Sequence, residues 1–468
     1  MFSKLLVSFS LIFMLVFANT YAKDITEDDL SGFDLQEDES SVDMSGFDEE
    51  EVLVQAIDET REEKTFSLNG NVAFKTSAGY KKHKVNEVEY SGVNQTQTSI
   101  YLQLDTKIFD SWKLRLSGDM FYDAIYDIYS HNNYEKKIED YYKTQTRVDD
   151  SYIQGSISSN IDIKIGRQIV VWGKSDNIRI TDVINPLDNR LPGMTDIEDL
   201  RLSVGMAKLD YYIGSWNFSF MAIPESRIML EAPPRSEFFP VDSVFSSAPN
   251  QFADLKTPSS SFDSMQYAFG ANGVFSSWDL SFYAAHVLDQ KWHFENDFQT
   301  RTVNKIDMLG SAINIASGSW LIKSEVAYIS GVRYNTTSDK KNRLDILLGF
   351  DYMGIRDTTL SLEVANKHIF DYESQMKNQV DYVDKDEMQT AIRLTRSFLN
   401  DTLDATALVS LFGSKFEYGG FARVWLEYEI ADALSTNFGI VDYIGGDKIF
   451  MDSIKDNDRL FFDLTYSF

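Results

Sequence analysis

Leu460-Phe461-Phe462-Asp463-Leu464-Thr465-Tyr466-Ser467-Phe468 decides the fold. Leu460, Phe462, Leu464, Tyr466 and Phe468 alternate with Phe461, Asp463, Thr465 and Ser467, so one face is apolar and the other largely polar. A period of two is that of an extended strand with different media on its two sides. A terminal strand of this kind, ending on an aromatic residue, fits the last strand of a transmembrane β-barrel, offered to the barrel-assembly machinery through Phe468. Outer-membrane lipid would bathe its apolar face.

The same texture extends back to about residue 65. Leu360-Ser361-Leu362-Glu363-Val364 shows it cleanly, and Trp320–Val326 and Leu344–Tyr352 repeat it less strictly. Short polar turns stand near Asp110-Ser111, Ser159-Asn160, Gly214-Ser215, Ser276-Ser277, Gly318-Ser319, Arg356-Asp357, Asn400-Asp401 and Ala431-Asp432. Between them lie longer polar stretches, for instance 125–141, 174–202, 225–262, 288–303, 369–385 and 446–457. Short turns alternating with long loops are the periplasmic and extracellular connections of an antiparallel up-and-down barrel. Eight short hairpins, one strand at 65–76 and one at 458–468 predict about 18 strands, with 16 the neighbouring even count. Four of the seven tryptophans (Trp112, Trp216, Trp278, Trp320) follow a Ser in these short turns, at one lipid interface. All eight prolines fall between Pro186 and Pro258, and so outside the other strand segments.

Composition agrees. Aromatics make up 14% of 468 residues although the mean hydropathy is −0.27. A net charge of −28 with no basic patch argues against nucleic acid. The chain has no cysteine, and hence no disulfide or thiolate site. Its five scattered histidines give no close-spaced ligand pair, so no metal and no cofactor are expected. No Ser, His and acid set stands out at a rim, so no catalytic residue is assigned and the chain is not read as an enzyme.

Residues 1–22 read as a signal peptide: Lys4, the apolar run Leu5–Phe17, then Thr20-Tyr21-Ala22 before the cut. Residues 23–62 form an acidic tail with fifteen Asp/Glu against one Lys over 23–59, for which disorder is expected. Its repeated Ser31-Gly32-Phe33-Asp34 and Ser45-Gly46-Phe47-Asp48 offer anchors to a periplasmic partner, set against a plain solvated tail. Val52–Ile57 is its one apolar island. The barrel domain takes 63–468.

The segment least like a generic strand is Gly166-Arg167-Gln168-Ile169-Val170-Val171-Trp172-Gly173, leading to Asn185-Pro186-Leu187-Asp188. A bulge at Gly166 would re-aim Arg167 into the lumen. Pore and loop candidates are Arg167, Gln168, Trp172, Lys174, Asp176, Arg179, Asp182, Asp188 and Arg190. The charged loop either folds inward and narrows the pore or lies outside, solvated. The second long loop carries Pro224, Pro233, Pro234 and Pro240 beside Phe238 and Phe239, exposed rings suited to an apolar solute or to the other loop. Alternation places Lys113, Arg115, Asp162, Lys164, Lys323, Glu325, Asp345, Asp351, Glu363, Arg393, Arg423, Glu427 and Glu429 on the lumen wall. Both charge signs are present, so no ion selectivity follows.

The G-R-Q-x-x-x-W-G strand end followed by N-P-L-D resembles a family of uncharacterised outer-membrane barrels often found beside RND-type transporters. That resemblance implies a channel that passes or receives hydrophobic or amphiphilic compounds. A general diffusion porin for small hydrophilic solutes is the alternative, and a surface receptor a further one. Porin-like barrels often form oligomers, and alternation alone does not identify a protein-facing strip.

Overall fold

The computed structural model describes residues 66–468 except 86, 110, 130–133, 241–253, 296–299 and 379. The signal peptide, the acidic tail with its apolar island, and Asp110 of the first short turn lie outside the described residues.

Eighteen antiparallel strands close into one barrel. They are β1 (Phe66–Gly79), β2 (Gly92–Phe109), β3 (Trp112–Asp123), β4 (Thr144–Val148 continuing as Ser151–Ser158), β5 (Ile161–Gln168) and β6 (Val204–Ile213). Next come β7 (Trp216–Ile223), β8 (Gln266–Val274), β9 (Trp278–Leu288), β10 (Lys305–Ser317), β11 (Trp320–Val332) and β12 (Lys341–Ile355). The last six are β13 (Thr358–Ile369), β14 (Asp386–Phe398), β15 (Leu403–Phe412), β16 (Gly420–Ala431), β17 (Leu434–Ile444) and β18 (Arg459–Ser467). Each pairs with its sequence neighbours, and β1 pairs with β18 from Asn71↔Ser467 to Gly79↔Arg459. Gly70 and Phe468 exchange both backbone hydrogen bonds at the seam, each 2.9 Å. A closed sheet leaves few unpaired backbone groups facing lipid, which the hydrocarbon core requires.

All eight expected short turns join consecutive strands. The long connections number nine, as eighteen strands with eight short turns require; besides the six stretches given above they include 80–91, 333–340 and 413–419.

Strand β11 shows how the wall is built. Ile322, Val326 and Tyr328 are exposed on the outer face, whereas Lys323 and Glu325 are buried on the inner one. The tryptophans Trp112, Trp216, Trp278 and Trp320 each open a strand that leaves a short turn. Three of the rings meet other aromatics there: Trp216 stacks on Phe218 at 6.1 Å, Trp278 on Phe275 at 4.2 Å, and Trp320 meets Tyr352 at 4.6 Å. An aromatic girdle of this kind marks a membrane interface. It lies at the end carrying both chain ends of the barrel, the periplasmic side by the loop-length rule.

Candidate functional site: a loop crossing the lumen

The connection from β5 to β6, residues 169–203, turns into the barrel, and the motif residues begin that turn. Gly166 has φ +135°, and a Cβ there would lie 2.6 Å from the Cα of Tyr152 on β4. Only glycine lets the strands approach so closely. The predicted bulge at this point is absent, because β5 keeps an unshifted register with β6 through Gly166↔Met206. Arg167 therefore faces outward rather than into the lumen, where it binds Glu225 at 2.6 Å and the Val148 carbonyl at 3.0 Å. Gln168 points inward, is 1% exposed, and donates to the carbonyls of Lys164 and Met206.

Asn185 ties the neck of the loop. Its side chain accepts from Val170 N at 2.8 Å and donates to the carbonyls of Leu202 (2.8 Å) and Gln168 (3.3 Å). Trp172 is buried and stacks on Tyr283 of β9, ring centroids 4.6 Å apart. Gly173 has φ +89°, and a Cβ there would stand 2.8 Å from both carboxylate oxygens of Glu325.

Two buried carboxylates on the wall then grip the loop backbone. Glu325 accepts from Lys174 N (2.6 Å), Ser175 N (2.8 Å), Thr181 N (3.1 Å) and Thr181 Oγ1 (2.7 Å). Glu363 accepts from Asp176 N (2.8 Å) and Asn177 N (3.0 Å). Lys323 donates to Asp176 (2.5 Å) and pairs with Asp351 (2.7 Å), while Lys174 reaches Asp279 (2.6 Å). A charge-assisted hydrogen bond contributes about 1.5–3 kcal/mol, so these two acids alone hold the loop firmly.

Further on, Asp182 sits between Arg179 (3.1 Å) and Arg201 (2.9 Å). Asp196 sits between Arg393 of β14 (3.0 Å) and Arg423 of β16. The Arg423 guanidinium lies 3.7 Å over the Trp425 ring, and its Nε and Nη1 are buried without a hydrogen-bond partner among the described residues. Arg190 binds Asp188 (2.5 Å) and Gln145 (2.9 Å) and lies over the Phe121 and Tyr141 rings. Tyr443 of β17 donates to the Pro192 carbonyl at 2.6 Å. From β5 the loop thus reaches walls as far around as β17, and it crosses the lumen.

Other wall candidates stand apart from this contact. Arg115 pairs with Asp105 (2.7 Å), and Lys164 lies 3.9 Å over the Tyr152 ring. Glu427 is exposed opposite Asp404, toward the periplasmic end. Thr181, Tyr283 and Tyr443 carry no sequence signal, each being an ordinary polar or aromatic residue whose partner lies more than 100 residues away; Asn185 stands in the N-P-L-D stretch, but nothing there shows that it ties the loop.

The second long loop lies over the first, with Leu230-Glu231 pairing in parallel with Asp188-Asn189. Phe238, expected to be exposed, is 2% exposed and packs on Tyr443 at 5.5 Å. Glu237 beside it binds Arg459 at the start of β18 (2.5 Å) and lies 3.3 Å from His83. Burial pushes the Glu237 carboxyl up, but Arg459 and His83 outweigh this and hold it below its ordinary value.

Two cavities flank the crossing loop. One, of about 420 Å³, is lined by polar groups of β1–β4 and β18 such as Lys75, Gln97, Ser99, Asp119 and Asp463. The other, of about 580 Å³, lies against β13–β17 under the outer loops, with Leu408, Phe412, Phe421, Phe450, Met451 and Ile454 in its lining.

A closed eighteen-strand barrel with a lipid-facing outer surface, an aromatic girdle and long loops at one end defines an outer-membrane β-barrel. The chain belongs to the family described as "Protein of unknown function (DUF1302)", whose model matches residues 55–468. Among solved structures it resembles three Pseudomonas aeruginosa proteins and covers 86% of its own length in each comparison. For OccK9 (OpdG) the TM-score is 0.52 at 10% identity, over 98% of that chain. For OccD3 (OpdP) it is 0.50 at 12% identity over 91%, and for OccK8 (OprE) 0.50 at 11% over 97%. At these identities the likeness is one of fold. No curated protein matches the sequence.

Proposed function

We propose that the protein is an outer-membrane channel for hydrophobic or amphiphilic small molecules, with the 169–203 loop as its selective constriction. The observation carrying this reading is the apolar cavity of about 580 Å³ between that loop and β13–β17. A pore built only for hydrated solutes has no use for Phe, Leu, Ile and Met inside its mouth, since wetting such a surface is unfavourable. In an apolar pocket with a few polar groups at fixed places, the first provide affinity and the second orientation. The family resemblance points to the same cargo class and to company with an RND-type transporter.

The polar cavity of about 420 Å³ favours the second reading, a diffusion porin for hydrophilic solutes. Planar-bilayer recording separates the two. The intact protein is expected to show low conductance, and one with 174–202 replaced by a short Gly-Ser link a large, steady one. Large open conductance in the intact protein would favour the simple porin.

A further inference from the structure

Inside the apolar cavity stands a lysine without a partner. Lys367 is on β13, near its extracellular end, and lines the pocket with Leu408, Phe412 and Met388. It makes no hydrogen bond and no ion pair among the described residues. Two carboxylates act on it electrostatically, Asp345 and Glu387, and both are engaged elsewhere. Asp345 takes a two-point contact from Arg343 at 2.7 and 2.8 Å, and Glu387 accepts from Lys448 at 3.0 Å.

The surroundings add positive charge. Each arginine–aspartate–arginine group, Arg179–Asp182–Arg201 and Arg393–Asp196–Arg423, carries two cations on one anion. Arg179, Asp196 and Arg393 border the same cavity. Along the cavity lining Arg179, Lys367, Arg393 and Lys448 stand against Asp176, Asp196 and Glu387, a surplus of one cation in a chain whose net charge is −28. Lys367 is half-buried at the cavity wall, and a cation partly withdrawn from water gains from an anion brought beside it, a counter-charge that a ligand can supply.

We propose that this cavity binds a single-chain amphiphile with one carboxylate head, the head on Lys367 and the chain among Leu408, Phe412, Phe421, Phe450 and Met451. The proposal rests on the channel reading above and specifies its cargo. One negative charge fits better than two, because Asp345 and Glu387 repel a second. A lysine supplies a point charge with three donors and no planar fork, enough for a carboxylate.

The test uses the full-length protein held in amphipol, so that no detergent competes, with calorimetric titration of octanoate, 1-octanol and octyltrimethylammonium. Octanoate is expected to bind at least tenfold more tightly than octanol, and octyltrimethylammonium more weakly than either. Lys367→Met should abolish the preference for octanoate while leaving octanol unchanged, and Lys367→Arg should keep it. Heat-modifiable gel migration checks that each variant is folded. Equal binding of octanoate and octanol by the intact protein, or a preference that survives in Lys367→Met, would overturn the head-group assignment and leave the channel reading intact. If neither octanoate nor octanol binds, the apolar cavity is no cargo site and both fall together.

Discussion

A methyl group on Gly166 would press against the neighbouring strand, whereas one on Gly173 would press against the oxygens of a wall carboxylate. Both glycines hold positive φ, so alanine at either is strained by about 1–3 kcal/mol. The consequences differ because the neighbours differ. Gly166→Ala is expected to lower the yield of heat-modifiable folded barrel, since it forces β4 from β5. Gly173→Ala should leave that yield nearly unchanged and raise conductance, because what gives way is the loop's grip on Glu325. Equal loss of folded protein in both variants would show that the loop anchor is part of the barrel's stability. These glycines also mark what could be read in the sequence. The motif stood out, but its meaning did not, because the contacts requiring glycine come from Tyr152 on one side and from Glu325, about 150 residues away, on the other.

Strands and short turns were legible because lipid is a uniform medium. Any outward residue meets the same surroundings whatever its neighbours, so a period of two survives without knowledge of register. Inward residues meet particular partners, and no local pattern names them. That is why Lys323, Glu325, Arg393 and Arg423 could be placed on the wall while their loop partners could not. It is also why Arg167 was misplaced: glycine has no side chain to show which face it takes, and the alternation passes through Gly166 unbroken. Phe238 was misjudged for a related reason, since a proline-rich loop reads as exposed until its cover is known.

The clasp of that second loop on β18 gives an element-scale prediction. Glu237 is held below its ordinary value near 4.5 by Arg459 and His83. A depressed carboxyl stabilises the clasp above its unfolded pKa and loses that contribution as pH falls through the folded one. Conductance, or cleavage of residues 224–240 by added protease, should therefore stay flat from pH 7 to about 5 and rise only below about 4.5. Glu237→Gln should show the raised level at pH 7; the same flat response in that variant would remove Glu237 from the clasp.

At the scale of the whole molecule, the terminal strand that announced the fold is also the one that closes it. Ala73 of β1 faces Thr465 of β18 across the seam, and the chain holds no cysteine of its own. A double variant Ala73→Cys, Thr465→Cys therefore gives a clean reporter of closure by disulfide formation. On refolding into lipid vesicles from urea, tryptophan emission is expected to report bilayer entry before that disulfide forms. Simultaneous signals would mean that insertion and closure are one event.

The seam has a cost in time. Its two edges lie about 400 residues apart in the chain, and bringing such distant ends together costs about 5 kcal/mol of chain entropy by the logarithmic law. Nearly every other ladder joins strands linked by one hairpin. A growing barrel therefore carries two bare edges until the end, each able to capture a strand from another copy. Crowding unfolded chains at one site would favour mispaired sheets over closed rings, so the yield of closed barrels should fall as chain concentration rises.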